Sequence, residues 1–431
     1  MTRTEQLYEH YLRHPIICTD SRSVTADSLF FALKGDSFNG NTYAGGALNS
    51  GAALAVVDEA EVAIDDRFFL VDDVLTTLQE LAQLHRALFK GTVIGITGTN
   101  GKTTTKELMN TVLSACYQTQ ATKGNFNNHI GVPLTILSTD LSTTEFLIIE
   151  MGANHPGEIG FLCDIVKPDC GLITNIGKAH LEGFGSFEAI IKTKTALYDS
   201  LKSIEGQAFV SSSQPILMPY ASKLNHLTYG NEVDDYCRGE VMSSDPFLIV
   251  KWYDDGKEHL IHSNLVGTYN FDNVMAAICV GKFFNVPTEK VIAKIESYMP
   301  SNNRSQVMQL GSNQLILDAY NANPSSMKMA IENFAGLNAF KKIVILGDMF
   351  ELGDESRTEH EAILELLKKY KFSDVLLIGP RFSEVTYGTD FRCFSSTQEA
   401  HDWLVVHPIT HASVLVKGSR GMKLETLLPV L

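Results

Sequence analysis

A lysine and two threonines end a glycine-rich turn at residues 98–104, where GTNGKTT follows the apolar run VIGIT. Glycines allow a tight turn, so successive backbone N–H groups and the start of the next helix can point at phosphate oxygens. Lys102 would add a positive charge, and the Thr103 hydroxyl suits a magnesium ion. The strict P-loop pattern has glycine where Ile96 stands, so this segment is a variant of it. The predicted nucleotide-phosphate site consists of Gly98, Thr99, Asn100, Gly101, Lys102, Thr103 and Thr104.

Two further candidates follow predicted strands. Glu150 ends the apolar strand FLIIE at the carboxyl edge of the predicted sheet, where P-loop proteins hold a magnesium-binding acid. His180 lies in the glycine-rich loop TNIGKAHLEGFG, where a neutral imidazole could bind a metal ion. A polar strand end would also explain Glu150, and a loop histidine taken alone is more often without special function. The neighbouring P-loop favours the functional interpretation of Glu150.

Lys194 is a charged side chain on an apolar helix face. In the predicted helix EAIIKTKTALYDSL it shares that face with Ile190 and Leu197. Lys192 points roughly 200° away from it. Burial of an ammonium group is costly and lowers its pKa, so Lys194 is snorkelling, paired or chemically used. On this pattern alone, snorkelling is the simplest explanation.

Asn323 and Pro324 in DAYNANPSSM predict a helix start, with asparagine as the N-cap and proline at the first helical position. The free N–H groups of such a start suit a carboxylate or a phosphate, although capping alone requires no function. Arg304, Lys417 and Arg420 are further anion donors, with solvated surface charge as the alternative explanation.

The order of predicted elements divides the chain into three α/β domains, expected at residues 1–88, 89–300 and 301–431. The first is a small α/β domain that ends in a helix at 74–88. The second alternates strand, P-loop and helix in a mostly parallel sheet, and the third is Rossmann-like without a dinucleotide G-x-G-x-x-G. The turn-rich run YMPSNNRS at 298–305 is a predicted linker. Strands are predicted at 29–33, 54–57, 68–71, 146–150, 171–175, 315–318, 343–346, 375–378 and 414–416, and helices at 187–201 and 270–284.

Composition narrows the class of protein. The 431 residues carry 35 Lys and Arg against 50 Asp and Glu, a net charge of -15, which argues against binding nucleic acid or an anionic membrane. The sequence has no apolar signal segment and no apolar run of about 18 residues, so we expect a soluble, cytoplasmic protein. Its 7 cysteines form no C-x-x-C pair and are expected to be reduced, without a zinc site.

With these residues in place, the chain resembles the Mur ligase family, ATP-dependent amide-forming enzymes of bacterial cell-wall synthesis. The resemblance spans essentially the whole chain. Within the family, MGANHPGEI, YNANP and GDMFELG resemble the branch that adds D-alanyl-D-alanine. The segments that carry the resemblance are TDSR (19–22), FFALKGDSFNG, TGTNGKTT, TKGNFNNHIGVP (122–133), IEMGANHPGEI (149–159), AHLEGFGS, GTYNFDN (267–273), DAYNANPSSM, LGDMFELG (346–353) and VKGSRG.

The resemblance implies a ligase with ATP, UDP-N-acetylmuramoyl-tripeptide and D-alanyl-D-alanine as substrates, acting in the last cytoplasmic step toward the pentapeptide precursor of peptidoglycan. Such an enzyme phosphorylates the terminal carboxylate of the tripeptide, and the dipeptide amine then attacks the acyl phosphate through a tetrahedral intermediate. Lys102 and the loop N–H groups would stabilise the phosphoryl group by position and charge. Closure of the three domains would exclude water from the acyl phosphate.

The resemblance also implies two Mg²⁺ ions. One would be held by Thr103 and Glu150, and the second by His180. Lys194 would be carbamylated, which turns its amine into a carboxylate that helps to hold metal; a partly buried amine is readily neutral, the form that reacts with carbon dioxide. The catalytic residues would then be Lys102, Glu150, His180 and Lys194.

Substrate contacts are implied in the same way. Leu317 departs from the family, which often has a second acid before the DAYN segment, and this departure bears on the ribose contact of Asp318. The implied contacts are Asn270 and Asn273 on the adenine side, Arg304 at the phosphates, Asp318 at the ribose, Asp20, Ser21 and Arg22 at the uridine diphosphate, and Asn321, Asn323 and Ser325 at the dipeptide.

Three alternatives differ in specific features. A sibling ligase that adds lysine or diaminopimelate would share the first two domains, but its D-N-P-R type signature is absent. Folylpolyglutamate synthase lacks the uridine-diphosphate domain that residues 1 to about 85 supply. A P-loop GTPase switch would require an N-K-x-D guanine signature, which is missing, and would leave Lys194 and the third domain unexplained. We expect a monomer.

Overall fold

Four short parallel strands in the order β1-β2-β5-β6 form the first sheet of the computed structural model. The structure describes residues 2–301, 303–386 and 389–431. The last helix of this domain, α3, starts at the N-cap Asp73, whose carboxylate accepts the N–H of Thr76. The elements are α1 (Arg3–Arg13), β1 (Ile17–Cys18), β2 (Leu29–Phe31), β3 (Lys34–Gly35), β4 (Phe38–Asn39), α2 (Ala44–Asn49), β5 (Leu54–Val57), β6 (Phe68–Leu70) and α3 (Val74–Leu88).

A second sheet of nine strands follows, in the order β15-β14-β13-β12-β11-β10-β7-β9-β8. It is parallel from β8 to β13, and two antiparallel pairings add β14 and β15 at one edge. Its elements are β7 (Thr92–Thr97), α4 (Lys102–Leu113), β8 (Thr119–Ala121), α5 (Gly131–Leu137), β9 (Phe146–Glu150), α6 (Glu158–Val166), β10 (Cys170–Ile173), α7 (Leu181–Phe184), α8 (Phe187–Ser203), β11 (Gln207–Ser211), α9 (Met218–Ala221), β12 (Asn225–Gly230), β13 (Cys237–Ser244), β14 (Phe247–Asp254), β15 (Lys257–Val266), α10 (Phe271–Phe283) and α11 (Thr288–Ser297).

Strand β7 lies between β9 and β10, so chain connections leave it toward both edges of the sheet. Such a switch point leaves a crevice beyond the carboxyl ends of the strands, which is where open α/β sheets bind ligands. The P-loop follows β7 directly, and Glu150 ends the neighbouring β9. The sheet therefore places the two predicted groups at one edge.

The third sheet has the order β16-β17-β21-β18-β19-β20, with only β16 antiparallel among its described strands. Helix α12 begins after β17 with the Asn323 side chain accepting the N–H of Ser326, as the Asn-Pro pair predicts. The elements are β16 (Gln306–Leu310), β17 (Asn313–Asp318), α12 (Pro324–Gly336), β18 (Lys342–Gly347), α13 (Ser356–Lys368), β19 (Asp374–Ile378), α14 (Pro380–Val385), β20 (Arg392–Phe394), α15 (Thr397–Val406) and β21 (Ser413–Lys417).

The first two sheets share one hydrophobic core. Leu7 and Leu78 of the first domain belong to the same buried cluster as Val132, Ile149 and Leu162 of the second. The third sheet has two clusters of its own, to which the second domain contributes little among the described residues. The first two domains are thus joined by apolar packing, whereas the third packs on itself.

Polar contacts reinforce the joint between the first two domains. Nε2 of His85 donates to the carbonyl oxygen of Thr139 at 2.9 Å, and the hydroxyl of Tyr8 lies 3.0 Å from Nδ1. Arg86 donates to the carbonyl oxygens of Val166 and Lys167 at 2.8 and 2.7 Å. Burial lowers the pKa of His85, so its neutral form is favoured in this joint.

The predicted fold class, three α/β units with a central P-loop sheet and a Rossmann-like third sheet, is confirmed. Predicted strands and helices are all present, with ends displaced by at most a few residues. The boundaries after residues 88 and 300 stay predictions, and the predicted linker at 298–305 includes Asn302, which lies outside the described residues. In the described part of the chain, every helix is too short or too polar to cross a membrane.

Candidate active site

The P-loop holds its shape through two glycines with positive φ. Gly98 has φ +144°, and a Cβ there would lie 1.9 Å from Oγ1 of Thr174. Gly101 has φ +80°, and a Cβ there would lie 2.5 Å from Oδ1 of Asn273. L-residues rarely adopt either backbone conformation. The conformation and close packing of the loop thus require glycine at both positions.

Two lysines meet at the carbonyl oxygen of Gly98. Nζ of Lys102 donates to it at 2.8 Å and to the carbonyl oxygen of Thr99 at 3.1 Å. Nζ of Lys194 donates to the Gly98 oxygen at 3.0 Å. Lys194 is only 3% exposed, and burial, together with the nearby Lys102, holds its pKa well below the ordinary lysine value. Burial also lowers the pKa of Lys102.

Glu150 is buried beneath the first turn of α4. Its Oε2 accepts the hydroxyl of Thr103 at 2.8 Å, and its Oε1 accepts Nδ2 of Asn127 at 2.8 Å. Its backbone N–H donates to Oγ1 of Thr122 at 2.9 Å. The carboxylate is therefore fixed on both oxygens, next to the predicted phosphate site.

His180 lies where the second domain meets the third. Its Nδ1 is 2.5 Å from Oε2 of Glu351, a close contact in which the ring nitrogen is not aligned for a hydrogen bond. Nearby, Nζ of Lys178 is 3.3 Å from Oε1 of Glu359. The His180 imidazole holds the pKa of Glu351 below its ordinary value.

The start of α12 contacts the P-loop directly. Nδ2 of Asn323 donates to Oδ1 of Asn100 at 2.8 Å, and Nδ2 of Asn100 donates to Oγ of Ser325 at 2.9 Å. The backbone N–H of Asn100 donates to Oδ1 of Asn175 at 3.0 Å. Two of the predicted dipeptide contacts thus lie against the phosphate loop, and the third domain is docked on the second.

Each predicted nucleotide contact has a polar or aromatic neighbour within the protein. Asn273 accepts the hydroxyl of Thr105 at 2.9 Å and donates to Oδ1 of Asn270 at 2.8 Å. Cζ of Arg304 lies 3.6 Å above the ring of Tyr320. An ion pair of 2.6 Å joins Oδ2 of the half-buried Asp318 to Nζ of the buried Lys417.

These groups surround a cavity of about 780 Å³ between the second and third domains. The structure brings most predicted residues to its walls. Gly98 and Asn323 lie behind the wall, in contact with the wall residues Lys102 and Asn100, and Lys194 lies behind Gly98. Asp20, Ser21 and Arg22 lie away from the cavity, in the turn after β1. The predicted residues on the wall are Thr99, Asn100, Gly101, Lys102, Thr103, Thr104, Glu150, His180, Asn270, Asn273, Arg304, Asp318, Asn321 and Ser325.

The residues present fit magnesium bound with a nucleotide. No group of three or more His, Cys, Asp or Glu side chains suited to a metal ion occurs within residues 2–301, 303–386 and 389–431. Mg²⁺ is usually held by one or two carboxylates together with substrate phosphates and water. Glu150 with Thr103 meets that requirement, and His180 lines the same cavity. Lys194 would become an oxygen ligand only as a carbamate.

Several residues of the site were not predicted individually. Asn127 fixes Glu150, Asn175 fixes the P-loop, and Glu351 reaches His180 from another domain. Asn127 and Glu351 fall in segments that carry the family resemblance, TKGNFNNHIGVP and LGDMFELG. That was the only available signal for them, because asparagine and glutamate on loops resemble ordinary surface residues.

Comparison with family models matches all three parts of the chain. Residues 15–86 match the model described as Mur ligase family, catalytic domain. Residues 96–281 match the Mur ligase middle domain, and residues 303–420 match the model described as Mur ligase, glutamate ligase domain.

Relatives and solved structures agree with these matches. The UDP-N-acetylmuramoyl-tripeptide–D-alanyl-D-alanine ligase of Bacillus subtilis is 34% identical, over 97% of this chain and 93% of the relative. A crystal structure of MurF from Acinetobacter baumannii has a TM-score of 0.89 at 28% identity, with 99% and 97% of the two chains covered. MurF of Thermotoga maritima in complex with ADP has a TM-score of 0.86 at 28% identity, with 97% of each chain covered. The chain belongs to the Mur ligase family.

Proposed function

We propose that this protein joins the amine of D-alanyl-D-alanine to the terminal carboxylate of UDP-N-acetylmuramoyl-tripeptide, with conversion of ATP to ADP and phosphate. The observation that carries this proposal is a cavity that the P-loop and the start of α12 line together. The Bacillus relative is named for this reaction, and the Thermotoga structure holds ADP. Both support the assignment.

The chemistry needs an activated carboxylate, because a carboxylate oxygen is a poor leaving group. A carboxylate oxygen of the tripeptide attacks the γ-phosphorus of ATP, and ADP leaves. The neutral amine of the dipeptide then attacks the acyl carbon and loses a proton. The bond between that carbon and the bridging oxygen breaks, so inorganic phosphate leaves with the oxygen that had attacked the γ-phosphorus. Lys102 and the P-loop N–H groups line the cavity and would stabilise the negative charge that develops on the phosphoryl oxygens.

The nucleotide would lie against residues of both the second and the third domain. Lys102 is held beside the phosphate position by two carbonyl oxygens of its own loop. Asn270 and Asn273 would contact the adenine, and Arg304 the phosphates. Asp318 would contact the ribose, and its buried partner Lys417 keeps it oriented.

Two magnesium ions are proposed with the nucleotide, one at Thr103 and Glu150 and the other at His180. When bound, magnesium neutralises charge on the transferred phosphoryl group. Lys194 would support this site as a carbamate, because burial beside Lys102 favours its neutral amine. Asn127 donates to Oε1 of Glu150, the oxygen that Thr103 does not contact, and so fixes the direction of the carboxylate.

The other two substrates would enter from opposite sides. Asn321 and Ser325 line the cavity from the third domain and would contact the dipeptide, while Asn323 anchors that helix start to the P-loop. The uridine diphosphate is proposed at Asp20, Ser21 and Arg22 of the first domain, remote from the cavity, which suits a substrate whose two ends are far apart. We propose that the enzyme acts as a cytoplasmic monomer.

The test is phosphate release from ATP and magnesium in the presence of UDP-N-acetylmuramoyl-tripeptide. Release that depends on D-alanyl-D-alanine is expected, with the ligated product visible by mass spectrometry. Release that depends instead on lysine or diaminopimelate, with the corresponding dipeptide precursor, would reassign the acceptor. Hydrolysis that depends on no amine at all would refute ligase activity.

A further inference from the structure

Glu351 approaches the cavity residue His180 from the third domain. Oε2 of Glu351 lies 2.5 Å from Nδ1 of His180. His180 lines the cavity, whereas Glu351 is not among its described lining residues. The carboxylate therefore contacts Nδ1 of the imidazole and does not occupy the other ring nitrogen, Nε2. A carboxylate of one domain thus lies beside the imidazole of another.

The backbone at both residues is unusual. His180 has φ +52° and Glu351 has φ +63°, in the left-handed region that non-glycine residues seldom adopt. Such conformations persist only where the surrounding structure over-determines them, and they cluster at functional sites. Gly353 packs beside Glu182, so the loops around both residues are in contact as well.

Buried polar groups hold the loop that carries Glu351. Asp348, fully buried at the end of β18, accepts the backbone N–H groups of Arg381 and Phe382 at 2.9 Å each. The buried His360 accepts the N–H of Met349 at 3.1 Å through Nε2, and its Nδ1 donates to the carbonyl oxygen of Ser356 at 2.7 Å. These bonds anchor the residues just before Glu351 to α13 and α14.

We propose that Glu351 is a positioning residue that orients the His180 imidazole for metal binding once the third domain is docked. This inference rests on the proposed function. Histidines that bind metals usually give their other ring N–H to a carboxylate, which fixes the tautomer and the ring direction. Here the carboxylate belongs to a different domain, so the histidine is correctly oriented only in the docked arrangement. Formation of the metal site therefore depends on docking of the third domain.

The contact between Lys178 and Glu359 provides a matched control. It is an ion pair between the same two domains, and Glu359→Gln removes a carboxylate from the third domain, as Glu351→Gln does, without touching His180. If Glu351 acted only by holding the domains together, the two substitutions would have similar effects. If it positions His180, only Glu351→Gln and Glu351→Ala should alter metal binding.

The experiment measures Mn²⁺ binding to the full-length protein by electron paramagnetic resonance, with a non-hydrolysable β,γ-methylene analogue of ATP. We expect Mn²⁺ affinity to fall about 10- to 100-fold in Glu351→Ala. The fall should be smaller in Glu351→Gln, whose side chain has the same size and still presents an oxygen to Nδ1, and absent in Glu359→Gln. Glu351→Ala should lower kcat while the KM for ATP stays within about twofold, because the base and ribose contacts are unchanged.

Two results separate this inference from the proposed function. Unchanged Mn²⁺ affinity in Glu351→Ala, or an equal loss in Glu359→Gln, overturns the positioning role even if the native protein shows dipeptide-dependent phosphate release. Absence of that release from the native protein refutes the proposed function, whatever the Mn²⁺ measurements show. Thermal unfolding of each variant verifies that it is folded when measured.

Discussion

Nζ of Lys102 and Nζ of Lys194 donate hydrogen bonds to the same carbonyl oxygen, that of Gly98, at 2.8 and 3.0 Å. Two ammonium groups in contact with one acceptor repel each other, and Lys194 is buried as well. Its pKa is lowered for both reasons, which favours the neutral amine. Carbon dioxide would convert that amine into a carbamate, and the repulsion by Lys102 would become an attraction.

Replacement of Lys194 tests this chemistry. Lys194→Ala should retain nucleotide binding, because the P-loop contacts remain, but should lower kcat about 10²- to 10³-fold. Short-chain carboxylates such as acetate should restore part of the activity, since they can occupy the place of a carbamate oxygen. Lys194→Arg should be equally impaired and not rescued, because the guanidinium fills the space and stays charged.

Lys192, on the exposed side of the same helix, supplies the control for that measurement. Lys192→Ala should keep nearly full activity and show no response to acetate. Full activity of Lys194→Arg would contradict the carbamate assignment.

Gly98→Ala should abolish nucleotide binding. The added methyl would lie 1.9 Å from Oγ1 of Thr174, and alanine disfavours φ +144°, so the loop must move. Removal of the hydroxyl in a Gly98→Ala/Thr174→Ala double variant should not restore binding, because the backbone strain remains. Gly160→Ala, where the nearest atom lies at 3.8 Å, serves as the control; calorimetric titration with ADP distinguishes them.

Substitutions of Asn323 separate helix capping from domain docking. Asn323→Ala removes both functions and should destabilise the protein by about 1 kcal/mol. Asn323→Ser keeps a capping oxygen but is too short to reach Asn100, so stability should stay near that of the native protein. Both variants should raise the KM for the dipeptide. A normal KM in Asn323→Ser would show that the contact with Asn100 has no role in docking.

Stability should depend on pH through His85. Burial lowers its folded-state pKa, so between that value and the unfolded value of about 6.5 the unfolded chain binds more protons. Stability from the neutral ring is therefore complete above about pH 6.5 and is lost as the pH falls toward the folded pKa. Between about pH 7.5 and about pH 5.5, the melting temperature should fall less in His85→Gln than in the native protein. The exposed His262→Gln should behave as the native protein does.

The sequence was sufficient to predict structure wherever the signal was local. Val74–Leu88 and Phe146–Glu150 have the predicted ends, because apolar periodicity and capping residues define them. Periodicity placed Lys194 on the apolar face of its helix, but the simplest explanation from that pattern, a snorkelling side chain, was wrong: Lys194 is buried, with Nζ on the carbonyl oxygen of Gly98. The pairing of His180 with Glu351 could not be predicted, because it depends on how two domains dock and not on either segment. The contact of Asn323 with the P-loop has the same origin, and the roles of the predicted site residues stay predictions.

The first two domains share one hydrophobic core, whereas the third has its own clusters. Cleavage of the chain should therefore have different effects at the two domain boundaries. A protease that cuts near residues 298–305 would leave a C-terminal fragment whose apolar clusters come almost entirely from its own residues and which the described polar contacts join to the rest of the chain. A cut near residue 90 would leave two pieces that stay associated, because Leu7 and Leu78 pack in the cluster that contains Ile149. In chimeras of related chains, residues 2–297 should therefore be exchanged as one unit, and the third domain can be exchanged separately.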